Sequence, residues 1–159
     1  MIITHYVLMD SIMGQLLLAG DEKRLSLIDF PDKNGTHQPD AGWLWSDKYF
    51  SEAILQLKLY FDGKLKKFSI PTHLTGTKFQ IDVVKELENI PYGQTCSYAD
   101  IANRIGHPKA YRAVGSANGN NSLPIIYPCH RVIASNGGLG GYSGGLQLKS
   151  TLLELEARY

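Results

Sequence analysis

Two short stretches with helical spacing, separated by only Gly106-His107-Pro108, constrain the fold of this chain more than any other feature. Ser97-Tyr98-Ala99-Asp100 opens the first, with Ile101, Ala102 and Ile105 turned inward. The second runs from about Lys109 to Asn118, and Pro108 is placed to start it. Two short helices joined by a tight, glycine-containing turn describe a helix-turn-helix. A plain αα corner with no nucleic-acid role fits the same pattern, and the pattern alone does not choose between them.

The surroundings of this pair divide at about residue 75. Upstream of it, Thr77-Lys78-Phe79-Gln80 has the form of a capping box, and Phe79, Val83, Leu87 and Ile90 make one face of a helix. A last helix, Leu146 to about Ala157, carries Leu148, Leu152 and Leu155 on one side. Residues 1–75 read differently. Ile2–Leu8, Leu16–Ala19, Leu25–Phe30 and Leu65–Ile70 are apolar runs of strand length, and Gly14 and Gly20-Asp21-Glu22 punctuate them. A helix from Ser46 to Phe61, with Phe50, Ile54, Leu57 and Phe61 as its stripe, follows a loop from Pro31 to Gly42. The expected class is therefore α+β: a small N-terminal antiparallel sheet with a helix over residues 1–75, then a mostly helical domain over 76–159. No run of about 18 apolar residues exists to span a bilayer. The first residues lack the basic and apolar regions of a secretory signal. Two cysteines without such a signal point to reduced thiols and a cytoplasmic setting.

Charge distribution adds a hint. Residues 1–75 carry eight Lys/Arg against nine Asp/Glu, whereas residues 76–159 carry eight against six. Within the latter, Arg104, Lys109, Arg112, Arg131 and Lys149 face Asp100 alone over residues 89–153, a modest footprint for a polyanion. A mixed solvated surface accounts for the charge equally well.

Chemistry concentrates at Pro128-Cys129-His130-Arg131-Val132-Ile133. A cysteine attacks as the thiolate, and a free thiol at neutral pH is mostly protonated. An adjacent base or cation is the usual remedy, and His130 and Arg131 offer both. Neighbours in sequence need not meet in space, so these residues alone also describe a buried structural cysteine beside an unrelated histidine.

Around this segment lie Tyr92-Gly93, Ser97-Tyr98, Pro108-Lys109-Ala110, Arg112-Ala113-Val114-Gly115, Asn121 and Pro124-Ile125. After it come Gly137, Gly140, Tyr142-Ser143-Gly144-Gly145-Leu146, Lys149, Leu152-Leu153 and Glu156. With these, residues 92–156 closely resemble the DNA-binding domain of the O6-alkylguanine-DNA alkyltransferases (methylated-DNA–protein-cysteine methyltransferases). The first half shares only a general likeness in its strand-rich order.

The resemblance implies a ribonuclease H-like N-terminal domain and a winged-helix or helix-turn-helix C-terminal domain. It implies irreversible, single-turnover transfer of an alkyl group from O6-alkylguanine in DNA to Cys129, with O4-alkylthymine open as a second substrate. His130, with Glu156 behind it, becomes the relay that keeps the thiolate available through a water. Asn121 shapes the active-site turn, and Tyr98 contacts the extruded base. Tyr142, Ser143 and Gly144 line the base pocket. Arg112 becomes the finger that fills the gap left by the flipped nucleotide. The helix bearing it is rich in small residues, among them Ala113, Gly115 and Ser116, which suits close docking in a minor groove and offers little for reading bases. The expected partner is double-stranded DNA bound by a monomer, with no membrane and no cofactor. Residues 1–75 contain no cysteine from which a thiolate zinc site could be built. Cys96 lacks the Pro-Cys-His-Arg flanks and reads as structural. A lesion sensor without chemistry would lack Cys129. A sequence-specific regulator would put Gln, Asn or Arg where the small residues stand. A cysteine hydrolase would need an oxyanion hole for which no separate signal exists.

Overall fold

The computed structural model describes residues 2–142 and 144–159. They form two compact units, one ending at Leu74 and one beginning at Thr75. In the first, β1 (His5–Ser11), β2 (Gly14–Gly20) and β3 (Leu25–Asp29) form an antiparallel meander, and a two-residue strand β4 (Leu44–Trp45) joins β1 in parallel. The sheet order is β3-β2-β1-β4. The β1–β2 turn is tight because Ser11 faces Gly14 directly, and Gly14 takes a φ of +88° that a side chain would resist. Leu16, Leu17, Leu18 and Ala19 of β2 are all buried, as befits a central strand covered on both faces. The sheet is thus mixed rather than purely antiparallel, by virtue of the short β4 that lies between the expected loop and helix.

Helix α1 (Ser51–Phe61) is preceded by a 3-10 turn at Lys48–Phe50. Its buried face is Phe50, Ala53, Leu57 and Tyr60, so the apolar stripe read from sequence is rotated, and Ile54 and Phe61 are only partly covered. The rotation has a polar cause. Gln56 is buried on the same side, where its carbonyl accepts from Ser69 N at 2.9 Å and its amide donates to Ser69 Oγ at 3.1 Å. That bond replaces a ladder. The run Leu65–Ile70 is not a strand, and the chain meets the sheet only beyond it, through a single parallel bridge between Leu25 and Thr72.

In the second unit, α2 (Lys78–Leu87) starts at the expected capping box: Thr77 Oγ1 accepts from Gln80 N, and Gln80 Oε1 accepts from Thr77 N. A second capping box, Ser97 with Asp100, opens α3 (Tyr98–Arg104). The helix stops in a Schellman motif: Gly106 N donates to Asn103 O and His107 N to Ala102 O, with Gly106 at φ +81°. The next helix, α4, spans Tyr111–Gly119, two residues later than its proline suggests, because Pro108 lies inside a turn closed by Ala110 N to His107 O at 2.9 Å. Helices α2, α3 and α4 pack on one another, and His107 sets its ring edge-on to Phe79 at 5.8 Å. The remaining elements are a two-stranded parallel ladder of β5 (Cys96–Ser97) with β6 (Val132–Ile133), and α5 (Leu146–Arg158). That ladder hangs the segment following Cys129 directly on the start of α3. Among the described residues, no helix is long and apolar enough to cross a membrane.

Candidate active site

Pro128 fixes the approach to Cys129. Its φ of −78° and ψ of 69° make it the centre of an inverse γ-turn, closed by Cys129 N donating to Tyr127 O at 2.7 Å. A 3-10 turn over Cys129–Arg131 follows and leads into β6. Asn121 braces the preceding loop, its amide donating to Tyr127 O at 2.9 Å and its carbonyl accepting from Leu123 N at 3.0 Å. From α4, Asn118 donates to Cys129 O at 3.3 Å. The braced loop also holds Ile125, a β-branched residue, at φ +74°. Such a conformation costs on the order of 1–3 kcal/mol and persists only where the surroundings impose it.

Cys129 is 1% exposed. Burial pushes its thiol above the ordinary value. The side chains of Asn121 and Tyr142, within hydrogen-bonding reach of the sulfur, and the charge of Lys149 pull it back. Tyr142 is itself pushed up, first by burial and then by the neighbouring sulfur. Tyr98 completes this side. Burial raises its phenol, and its oxygen accepts from the amide of Gly141. A Cβ on Gly140, already at φ +73°, would stand 2.6 Å from the Tyr98 hydroxyl, so the glycine turn and the phenol are in direct contact. Gly144 is half-buried in the same turn, and Ser143 lies outside the described residues.

Next to Cys129 in the chain, His130 and Arg131 form a buried triad with Glu156. The Glu156 carboxylate takes His130 Nε2 at 2.7 Å, Arg131 Nε at 2.8 Å, Arg131 Nη2 at 2.9 Å and Gly93 N at 3.2 Å. The third guanidinium nitrogen donates to Ile90 O at 2.7 Å. Because a carboxylate only accepts, His130 carries its proton on Nε2, leaving Nδ1 a bare lone pair with no partner among the described residues. Arg131 cancels the carboxylate charge that would otherwise draw a proton onto the ring. Burial therefore dominates and pushes the imidazole below 6.5. The geometry presents a neutral base with a fixed tautomer.

That neutrality has a measurable consequence. As the pH falls below 6.5 the unfolded chain takes up a proton that folded His130 refuses, so the unfolded state gains. This stabilising contribution is fully present above 6.5 and is lost as the pH falls toward the lower folded value. We expect stability to drop there by up to about 1.4 kcal/mol per pH unit, one proton's worth, and that increment to vanish in His130→Gln. A urea-unfolding series over pH 7 to 5 checks it, and an unchanged slope in the variant would assign the proton elsewhere.

Of the expected DNA-contacting residues, Arg112, Ala113 and Ser116 lie on the exposed side of α4, whereas Gly115 turns inward beside the Tyr98 ring. The Arg112 guanidinium lies over the ring of Tyr111 at 5.9 Å, which gives that exposed aromatic a place in the surface. The charge reading needs correction. Arg131 and Lys149, counted as surface cations, are buried, so only Arg104, Lys109 and Arg112 remain for a footprint. Cys96 is also buried and unpaired with any thiol, its own thiol pushed up by burial. Among the described residues, no three metal-ligating side chains cluster.

Two family models match the chain: the ribonuclease-like domain of 6-O-methylguanine DNA methyltransferase over residues 4–74, and its DNA binding domain over residues 78–158. The chain belongs to the 6-O-methylguanine DNA methyltransferase family. The first match gives the N-terminal unit a definite relationship that its sequence pattern left general. Curated relatives agree. The methylated-DNA–protein-cysteine methyltransferase of Methanosarcina acetivorans is 47% identical, covering 96% of this chain and 97% of its own. That of Mycobacterium leprae is 49% identical, covering 96% and 92%. Among solved structures, the Mycobacterium tuberculosis protein in complex with DNA superposes with a TM-score of 0.91 at 45% identity, covering 98% and 94%. The O6-methylguanine-DNA methyltransferase of Pyrococcus kodakaraensis gives 0.71 at 26%, covering 95% and 98%.

Proposed function

We propose that this chain repairs DNA by moving the alkyl group of an O6-alkylguanine onto Cys129, in one irreversible turnover. The observation that carries the assignment is the bare, buried Nδ1 of His130 next in sequence to a buried sulfur ringed by Asn121, Tyr142 and Tyr98. His130 Nδ1 takes the thiol proton through a bridging water, while Glu156 holds the tautomer. The sulfur attacks the alkyl carbon, the S–C bond forms, and the C–O6 bond breaks with its electron pair going to O6. The proton ends on the guanine. Tyr98 donates to the base as negative charge gathers on it, and Tyr142 and Gly144 line the pocket. The thioether product is a poor leaving group, so the chain is consumed.

An alkyl carbon inside a stacked duplex is out of reach of a thiol, so the nucleotide must rotate out. Arg112 fills the space it leaves. The small exposed face of α4, with Ala113 and Ser116 outward and Gly115 behind, docks in the minor groove of double-stranded DNA. The chain acts as a monomer in the cytoplasm.

Mixing the protein with an O6-methylguanine oligonucleotide should add about 14 Da, once per chain, on the peptide holding Cys129, and activity should then stop. Repeated turnover, or the label on Cys96, would overturn the assignment.

A further inference from the structure

Lys149 is a buried ionisable group with no part in the proposed transfer. Lys149 of α5 is 0% exposed, and its ammonium is spent on backbone: it donates to Val132 O at 2.6 Å, to Gly141 O at 3.1 Å and to Leu139 O. Those carbonyls belong to β6, just past the nucleophile, and to the glycine turn that leads into Tyr142. Among the described residues no carboxylate pairs with it. The other buried cation, Arg131, is matched by Glu156. A buried lysine without an anion is a poor bargain for folding alone, because three carbonyl dipoles satisfy its protons but not its charge.

We propose that Lys149 is the buried countercharge of the Cys129 thiolate, and that its three carbonyl bonds hold the glycine turn in register with the nucleophile. The inference rests on Cys129 being the acceptor. Lys149 does not touch the reacting atoms; it is a positioning residue that acts through the field at the sulfur. The groups whose charge or hydrogen bonding acts on the sulfur are Asn121, Tyr142, Tyr98 and Lys149, with His130 adjacent in the chain. Only Lys149 among them brings a fixed positive charge. The two phenols are neutral at physiological pH, and burial holds His130 neutral. The charges of sulfur and ammonium are felt reciprocally: Lys149 lowers the thiol, and the thiolate raises Lys149 against the downward pull of its own burial. Lys149 also disfavours the imidazolium, which keeps the base free before the proton moves.

The test is a single-turnover pH–rate profile with free O6-benzylguanine, which needs no base flipping. Lys149→Met keeps an unbranched, flexible side chain, one heavy atom shorter, and removes the charge. It should move the midpoint of the profile up by about one unit, a roughly ten-fold loss at neutral pH that alkaline pH restores. Lys149→Arg keeps the charge and should keep the midpoint, whatever it does to the plateau. A loss in Lys149→Met that is the same at every pH would make Lys149 a strut only and overturn the proposal. Should the Met variant not fold, the reciprocal effect is read in intact protein. The Lys149 ammonium, followed by NMR of ε-labelled lysine, should titrate at lower pH in Cys129→Ser than in wild type. Identical titrations would also overturn it. Peptide mass after each reaction locates the benzyl group, so a failure of Cys129 as acceptor is distinguished from a failure of Lys149 as countercharge.

Discussion

Cys129→Ser should abolish alkyl transfer while leaving duplex binding within about three-fold of wild type, a change of less than 1 kcal/mol. The chemical loss is total because a serine hydroxyl does not ionise near neutral pH, even beside a base that can reach a thiol. The proposed docking face is elsewhere. Cys129 is buried in its 3-10 turn, whereas Arg112, Ala113 and Ser116 lie on the exposed side of α4. Serine is also close in volume to cysteine, so the loop braced by Asn121 should keep its shape. The same background isolates the DNA contacts. Arg112→Ala added to Cys129→Ser should weaken binding to a lesion duplex by ten-fold or more, about 1.4 kcal/mol. Gel-shift titrations of both proteins read the two effects. A Cys129→Ser chain that no longer binds the lesion would mean that nucleophile and docking face are not separable as argued.

How much of this could be read from the sequence depends on whether a local rule or a tertiary contact fixes each piece. The capping boxes at Thr77 and Ser97 and the Gly106 stop obey rules written within a few residues, and α2 and α3 follow them closely. The strand expected at Leu65–Ile70 fails because apolar residues of strand length need a neighbour with free backbone groups. Here the neighbour is one side chain, Gln56, thirteen residues away from Ser69. The short β4 is missed for the converse reason: two residues pair only because β1 is already there.

Within the site, the Pro-Cys-His-Arg segment and the family resemblance singled out Cys129, His130 and Glu156, and the last two are bonded at 2.7 Å, but the charge tally misjudged two cations. Arg131 and Lys149 look like surface charge in a tally, since composition cannot say which side of an element a residue occupies. Periodicity could have helped for one of them. Lys149 stands three and seven residues before Leu152 and Glu156, on the buried face of α5. Arg131 had no such signal, because a 3-10 turn of three residues has no face long enough to read. Its partners, Glu156 and Ile90 O, lie 25 and 41 residues away. The strain at Ile125 is equally silent in sequence, since a β-branched residue gives no warning of a left-handed backbone.

Glu156→Gln is expected to damage both stability and chemistry, and the two effects can be pulled apart. The carboxylate accepts two bonds from Arg131 and one each from His130 and Gly93, and its side chain is only 1% exposed. Replacing it with an amide leaves a buried guanidinium without its anion, which costs about 3–5 kcal/mol. That is a large share of the roughly 5–15 kcal/mol that holds a domain of ordinary stability together. The chemical effect has another origin. Glutamine can offer an N–H to His130 Nε2, which moves the ring proton to Nδ1 and blocks the lone pair that receives the thiol proton. Transfer should fall roughly 10²-fold or more at neutral pH, the usual worth of a positioned base. Adding Arg131→Met removes the orphaned charge, so the double variant should regain most of the lost stability. It should not regain the rate, because the tautomer remains wrong. Urea unfolding, single-turnover rates on free O6-benzylguanine and the nitrogen shifts of His130 measure the three quantities independently. If the double variant recovers stability and rate together, Glu156 serves only to neutralise Arg131, and the proton relay through His130 falls.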